Sequence, residues 1–300
     1  MFKKPQHIAI TCVLIANFCF AINFSLVKML TNSTPNLKAF IGPYALNVIR
    51  VGVATILFWL LYLYTPHKEK ILKAHYGRFF ACAICGVVLN QTLFIGGLVL
   101  TSTIHAAILI LGTPIFITLI TIIFYKEKVT LIKIIGFIIA LSAAVLLALQ
   151  KENVHIGSNI LVGDVLVLLN AIAYAMYFVI AKPLMAHYKP LTVIRTIFTL
   201  ACPIMLAIGF NQIQLLNFGI WQWQHFVALS GIVLGATFIA YLCNAIALQT
   251  IGAARTGAFI YTQPVIATII AVLFLGDTLT WQKLIAAILI VGGVVLINKK

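Results

Sequence analysis

"TPIFITLITIIFYKEKVTLIK", residues 113–133, runs from an apolar stretch through a burst of lysine and back into an apolar stretch. The pattern returns at residues 263–283 as "QPVIATIIAVLFLGDTLTWQK". Pro114, Thr118, Ile120, Phe124, Thr130 and Lys133 recur as Pro264, Thr268, Ile270, Phe274, Thr280 and Lys283, and Glu127 becomes Asp277. Lys126 and Lys128 do not recur; Gly276 and Thr278 stand in their places. A segment duplicated with its positive charge removed asks for an explanation, and composition supplies the first part of it. Of 300 residues, 63% are hydrophobic and 8% charged, with a mean hydropathy of +1.14. A water-soluble domain carries about a quarter charged residues. About 20 apolar residues in a helix cross the hydrocarbon of a bilayer. Ten such runs lie near residues 8–30, 43–64, 79–99, 103–125, 131–149, 162–181, 191–210, 226–248, 253–275 and 281–298. The expected fold is all-α and integral to the membrane, with ten transmembrane helices and a lipid bilayer as its surroundings.

The net charge of +15 does not point to nucleic acid, because the cations sit at the ends of the apolar runs rather than on one folded face. Their distribution is the one membrane orientation imposes, with Lys and Arg enriched on the cytoplasmic side. Placing the N-terminus inside puts fourteen of them in inside segments, among them Lys68, Lys70, Lys73, Arg78, Lys126, Lys128 and Lys189. Lys38, Lys151 and Lys283 fall outside, and Lys28, Arg50 and Arg195 lie in or near spans. Both termini are therefore expected in the cytoplasm. The first apolar run is too long, and lacks the small-residue cleavage site, for a removed signal peptide.

The missing lysines now make sense. Eleven of fifty positions are identical between residues 101–150 and 251–300. Upstream, "LNVIR" (46–50) answers "LTVIR" (191–195), and "GVVL" (86–89) answers "GIVL" (231–234). Residues 1–150 and 151–300 thus read as two homologous five-helix units. Five is odd, so the second unit enters the membrane inverted. The loop at Lys126 then faces the cytoplasm and the loop at Gly276 faces outward, so the lysines report orientation rather than chemistry. Inverted repeats are a hallmark of transporters, which open alternately to either side around a site near the midplane.

The paired "TPIFITLITIIFYKE" and "QPVIATIIAVLFLGD", the "NQTLFIGGLVLTST" of residues 90–103 and the "GDVLVLLNAIAYAMYFVIAK" of residues 163–182 resemble the EamA-type branch of the drug/metabolite transporter superfamily. The resemblance covers essentially the whole chain. It implies a carrier of the bacterial cytoplasmic (inner) membrane, often an exporter of amino acids or related metabolites, with a central cavity between the repeats.

Polar and aromatic groups inside the spans supply the candidate site residues. A polar side chain in hydrocarbon needs a partner and so turns toward the bundle interior. Tyr174 and Tyr177 share a face with Asn170 in the sixth span, and Phe20 and Asn23 hold the matching face of the first. Asn90 and Gln91 are neighbours about a hundred degrees apart on a helix, so one is expected at the cavity and the other on an adjacent span. Tyr241 and Asn244 form a stripe in the eighth span, and Gln263 closes one in the ninth. Pro114 and Pro264 are expected to kink their helices, because each lacks the N–H that would bond the carbonyl of Ile110 or Ile260. Arg50 and Arg195 are charge anchors in equivalent positions: either long side chains reaching the interface, or one of them the partner of a substrate carboxylate.

Absences narrow the reading. Glu69, Glu127, Glu152, Asp164 and Asp277 all lie in loops or at span ends, so no mid-span carboxylate offers a titrating group for proton coupling or a counter-ion for a lipophilic cation. His105 remains as a weak relay candidate. Cys82 and Cys85 form a CxxC without a second ligand pair and read as packing residues. No catalytic or metal motif is present, so neither an enzyme nor a cofactor is expected. The expected activity is alternating-access transport, chiefly export, of small polar or zwitterionic metabolites such as amino acids. A multidrug or cation exporter of the same fold, or a non-transporting scaffold, stands as the alternative, and a homodimer is compatible with the sequence.

Overall fold

A computed structural model describes residues 6–31, 40–66, 68–101, 103–126, 130–149, 159–274 and 280–298. Each apolar run becomes helix. Span 1 is Gln6–Thr31, span 2 Pro43–Leu63, span 3 Lys73–Leu100, span 6 Ile160–His187, span 7 Pro190–Ile213 and span 8 Trp223–Ile251. Span 4 is divided into Thr103–Ile110 and Thr113–Tyr125; span 5 is Leu131–Leu149 and span 10 Trp281–Asn298. Span 9 comprises Ala253–Ala258, a 3₁₀ turn at Phe259–Tyr261, and Thr262–Phe274. Among the described residues, seven helices are long and apolar enough to cross a membrane. The charge-bearing loops at 127–129 and 275–279, and the side chain of His105, lie outside the described residues.

The packing mirrors the duplication. Span 2 packs on span 7 and span 5 on span 10, while span 3 lies on span 6 as span 1 lies on span 8. Span 4 meets span 6 as span 9 meets span 1. Each pairing maps onto itself or its counterpart when the repeats are exchanged, and each joins one repeat to the other. Small residues permit the closest crossings, as expected where lipid removes the hydrophobic drive between helices. A Cβ built on Gly97 would stand 2.8 Å from the Gly163 carbonyl, and one on Gly136 2.9 Å from the Gly293 carbonyl. The outward faces stay apolar, with Leu131 and Ile288 exposed on spans 5 and 10.

Among the described residues, four spans depart from continuous α-helix, in equivalent pairs. Spans 3 and 8 each contain a π-helical segment, Ile84–Leu89 and Gly231–Ile239, on the duplicated "GVVL" and "GIVL" motifs. Each such segment carries more residues per turn and so shifts the register of the helix beyond it. Spans 4 and 9 are interrupted at 111–112 and 259–261. The interruptions precede Pro114 and Pro264, so the prolines stand in the first turn of the second helical piece instead of bending a continuous helix. A missing N–H costs nothing in a first turn, where that group has no helical partner anyway. Tightened bonds from Leu111 N to Ile108 O and from Gly112 N to Leu109 O, both 3.0 Å, carry the chain across the first interruption.

Candidate functional site

A cavity of about 70 Å³ lies between the repeats, where the interrupted helices meet. Span 4 contributes Ile110 and Thr113, and span 9 contributes their repeat equivalents Ile260 and Gln263. Span 1 adds Phe20, Asn23 and Phe24, and span 6 adds Asn170 and Tyr174. Arg50, Asn90, Gln91, Phe94 and Tyr241 complete the wall. Of the residues singled out from sequence, Phe20, Asn23, Asn90, Gln91, Asn170, Tyr174, Tyr241, Gln263 and Arg50 are thus brought together.

Tyr177, Asn244 and Arg195 do not line this cavity. Tyr177 is buried behind Tyr174, with the two rings stacked at 5.8 Å, and supports the wall from outside. Asn244 donates its amide to the Tyr174 hydroxyl at 3.0 Å and so fixes that ring. The Arg195 guanidinium lies over Tyr62 at 3.9 Å and Trp59 at 4.4 Å, held by cation–π attraction on the face between spans 2 and 7. Asn90 and Gln91, expected to face different ways, both reach one phenol. Gln91 Nε2 donates to Tyr241 Oη at 3.2 Å, and Tyr241 Oη donates toward Asn90 Oδ1 at 3.0 Å and the Gly86 carbonyl at 3.2 Å. Two side chains a hundred degrees apart can flank a third group that stands between them, and Tyr241 does.

The π segments hold cavity residues across the repeat boundary. In the first repeat, Gly86 of the span 3 segment receives Tyr241 from the second. In the second, Thr237 of the span 8 segment receives Arg50 from the first, with Nε donating to Thr237 Oγ1 at 2.9 Å. Thr237 donates in turn to the Ile232 carbonyl at 2.8 Å, five residues back. Asn170 donates to the Asn90 carbonyl at 2.6 Å and ties span 6 to span 3 at the cavity. Sequence reasoning missed other members of the site. Asn17 accepts from Gln263 Nε2 at 2.8 Å, and Phe24 and Phe94 meet edge to face at 5.3 Å. An asparagine one turn before Phe20 was the available signal for Asn17; the two phenylalanines carried none among twenty.

Electrostatically the site is cationic. Glu69 and Asp164, the carboxylates among the described side chains, sit elsewhere: Glu69 accepts from the Lys189 backbone N–H at 2.9 Å, and Asp164 accepts from the Thr101 hydroxyl. Two buried carbonyls at the site, Asn23 Oδ1 and Gln91 Oε1, have no hydrogen-bond partner among the described residues. Among those residues no cluster of His, Cys, Asp and Glu is arranged to hold a metal ion. The chemistry available is a fixed guanidinium, amide acceptors and aromatic faces, which suits binding and release of a solute with a polar head.

Comparison with known proteins agrees with a duplicated membrane bundle. The sequence pattern of the EamA-like transporter family matches twice, at residues 7–149 and 161–299. An uncharacterized transporter of Archaeoglobus fulgidus is 25% identical over 262 residues, covering 87% of this chain and 90% of that one. The uncharacterized transporter YyaM of Bacillus subtilis is 23% identical over 278 residues, 89% of each chain. A protein of Streptantibioticus cattleyicolor named as a probable terminal-alkyne amino-acid exporter is 26% identical over 227 residues, 73% of this chain and 72% of its own. A solved crystal structure superposes on 97% of the chain, and on 96% of its own, with a TM-score of 0.75 at 17% identity, which speaks to the fold alone.

Proposed function

The chain belongs to the EamA-like transporter family and is a multi-pass membrane transporter rather than an enzyme, and from that premise we propose that it exports small polar or zwitterionic metabolites, amino acids foremost, by alternating access. The observation that carries this reading is the cavity, which joins Arg50 and the amides of Asn23, Asn90 and Gln91 to the rings of Phe20 and Tyr174 at the junction of the repeats. An interface between two interlocked repeats is where rocking of one against the other exposes a site first to one side and then to the other. The aromatic faces take an apolar or planar body, and the amides take a polar head. A guanidinium on the wall disfavours a lipophilic cation. The likeness to the Streptantibioticus cattleyicolor protein supports the amino-acid class.

Orientation belongs to the same proposal. With both termini cytoplasmic, Arg78 and Lys189 lie at the inner surface. The test is counterflow in proteoliposomes loaded with neutral amino acids, alongside a parallel series with ethidium. Exchange of amino acids without ethidium movement is the expected result. Ethidium movement without amino-acid exchange would refute the assignment and promote the multidrug alternative.

A further inference from the structure

We propose that the cavity is a two-pole receptor for a free α-amino acid, with Arg50 taking the carboxylate and the side-chain carbonyls of Asn23 and Gln91 taking the ammonium. The inference rests on the reading of the cavity as the substrate site and adds which groups of the substrate are read.

The first pole is a buried cation whose partner among the described residues is a neutral hydroxyl. Arg50 is 3% exposed within span 2, and its Nε is used by Thr237. A guanidinium presents five donors in a rigid fork, which matches the two oxygens of a carboxylate. One hydroxyl leaves most of that capacity unused. A charge this deep in a bundle is costly unless something pairs with it during the cycle.

The second pole comes from counting protons. The Tyr241 phenol has one proton, and the Gly86 carbonyl and Asn90 Oδ1 both stand where they accept it. Gln91 must therefore approach that phenol with its NH₂, as its Nε2 does. This turns Gln91 Oε1 away as an acceptor with no donor, and Asn23 Oδ1 is in the same condition. Both residues are at least nine-tenths buried, at 2% and 4% exposure, and both line the cavity. Buried carbonyls without donors are uncommon. These two, on residues of one cavity wall but closed off from its space in this conformation, would be satisfied by a group that only donates, once the wall parts around it. An ammonium donates three times and accepts nothing.

The poles are close enough for one small molecule. Arg50, Asn23 and Gln91 line the same cavity, and Tyr241, also on its wall, is bonded to Gln91 and packs edge-on against Phe20, one turn from Asn23. At about 70 Å³ the space accommodates roughly two waters at their liquid volume, about 30 Å³ each, so this conformation admits the amino-acid headgroup. The side chain of the cargo then has to part the rings of Phe24, Phe94 and Tyr174, which bound the remainder.

The experiment is competition against counterflow by purified protein in proteoliposomes. Glycine, leucine and phenylalanine are each offered as the free acid, the α-amide and the N-acetyl derivative. In the wild type, each free amino acid that competes should do so at least tenfold better than its amide or its N-acetyl form. Arg50→Gln should bring acid and amide level while N-acetylation stays harmful. Asn23→Ala should bring free and N-acetylated forms closer while amidation stays harmful. Counterflow of free amino acids with amides competing equally well in the wild type overturns the carboxylate pole, and equal competition by N-acetyl forms overturns the ammonium pole; neither needs a variant to fold. Failure of all three free amino acids to exchange, with ethidium moving instead, would refute the amino-acid function itself and is distinguishable from both.

Discussion

Adding one methyl group at Gly86 should disable transport from outside the cavity. A Cβ there would lie 2.5 Å from Tyr177 Cδ2, 2.7 Å from Cγ and 3.2 Å from Cβ. The closest of these is roughly 1 Å short of the 3.5 Å at which carbon atoms begin to attract. The offended atoms are the root of the side chain rather than its tip, so a change of the ring's outer end cannot relieve the clash. Tyr177 is also confined, stacked on Tyr174 at 5.8 Å and edge-on to Phe178 at 5.6 Å. Displacing it therefore moves Tyr174, a cavity wall, and strains the bond by which Asn244 holds that ring. It also disturbs the Gly86 carbonyl that receives Tyr241. Overpacking of this kind costs about 1–3 kcal/mol. Gly86→Ala should lower the thermal midpoint and reduce the initial rate of counterflow, while Gly52→Ala, with open space at its Cβ, changes neither. In a Tyr177→Ala background the same methyl should add nothing, since residues that act through one contact are not additive. Full transport by Gly86→Ala, or equal losses in both backgrounds, would refute the support role assigned to Tyr177.

Two more outcomes are expected. On a cysteine-free background, membrane-impermeant thiol labelling should find positions 70 and 127 cytoplasmic and position 277 external; positions 127 and 277 on one side would end the inverted arrangement of the loops. Thr237→Val keeps the shape but removes the acceptor for Arg50, and a hydrogen bond to a charged group contributes about 1.5–3 kcal/mol. Leucine should then compete about tenfold or more weakly in counterflow while its α-amide is unaffected, and unchanged leucine competition would reduce Thr237 to a packing residue.

The repeat was legible because identical residues recur at fixed spacing, and spans were legible because hydrocarbon demands long apolar runs. What the sequence concealed lies in the rotation of side chains about their helices. Asn90 and Gln91 come directly after the π segment Ile84–Leu89, and no count along a regular helix allows for the register change. The interruptions ahead of Pro114 and Pro264 do the same to Thr113 and Gln263, whose direction depends on where the second helical piece begins. Tyr177 does share a face with Tyr174, but a face is wider than a cavity, and the second ring lies behind the first.

The two arginines show how symmetry in sequence and difference in role coexist. Arg50 and Arg195 stand 145 residues apart, as do Thr92 and Thr237. Strict symmetry would give Arg195 to Thr92, yet the Thr92 hydroxyl lies 3.6 Å from Met205 Sδ and Arg195 lies on the rings of Trp59 and Tyr62. At the same spacing, the positions of Trp59 and Tyr62 are occupied in the second repeat by Ile204 and Ala207. An isoleucine and an alanine offer no π face to match the seat of Arg195, and Arg50 is held instead by Thr237 at the cavity. Divergence at two aromatic positions thus accompanies one arginine seated on rings and a twin on the cavity wall. The signal was present in the sequence, but in the partners of the arginines rather than in the arginines themselves.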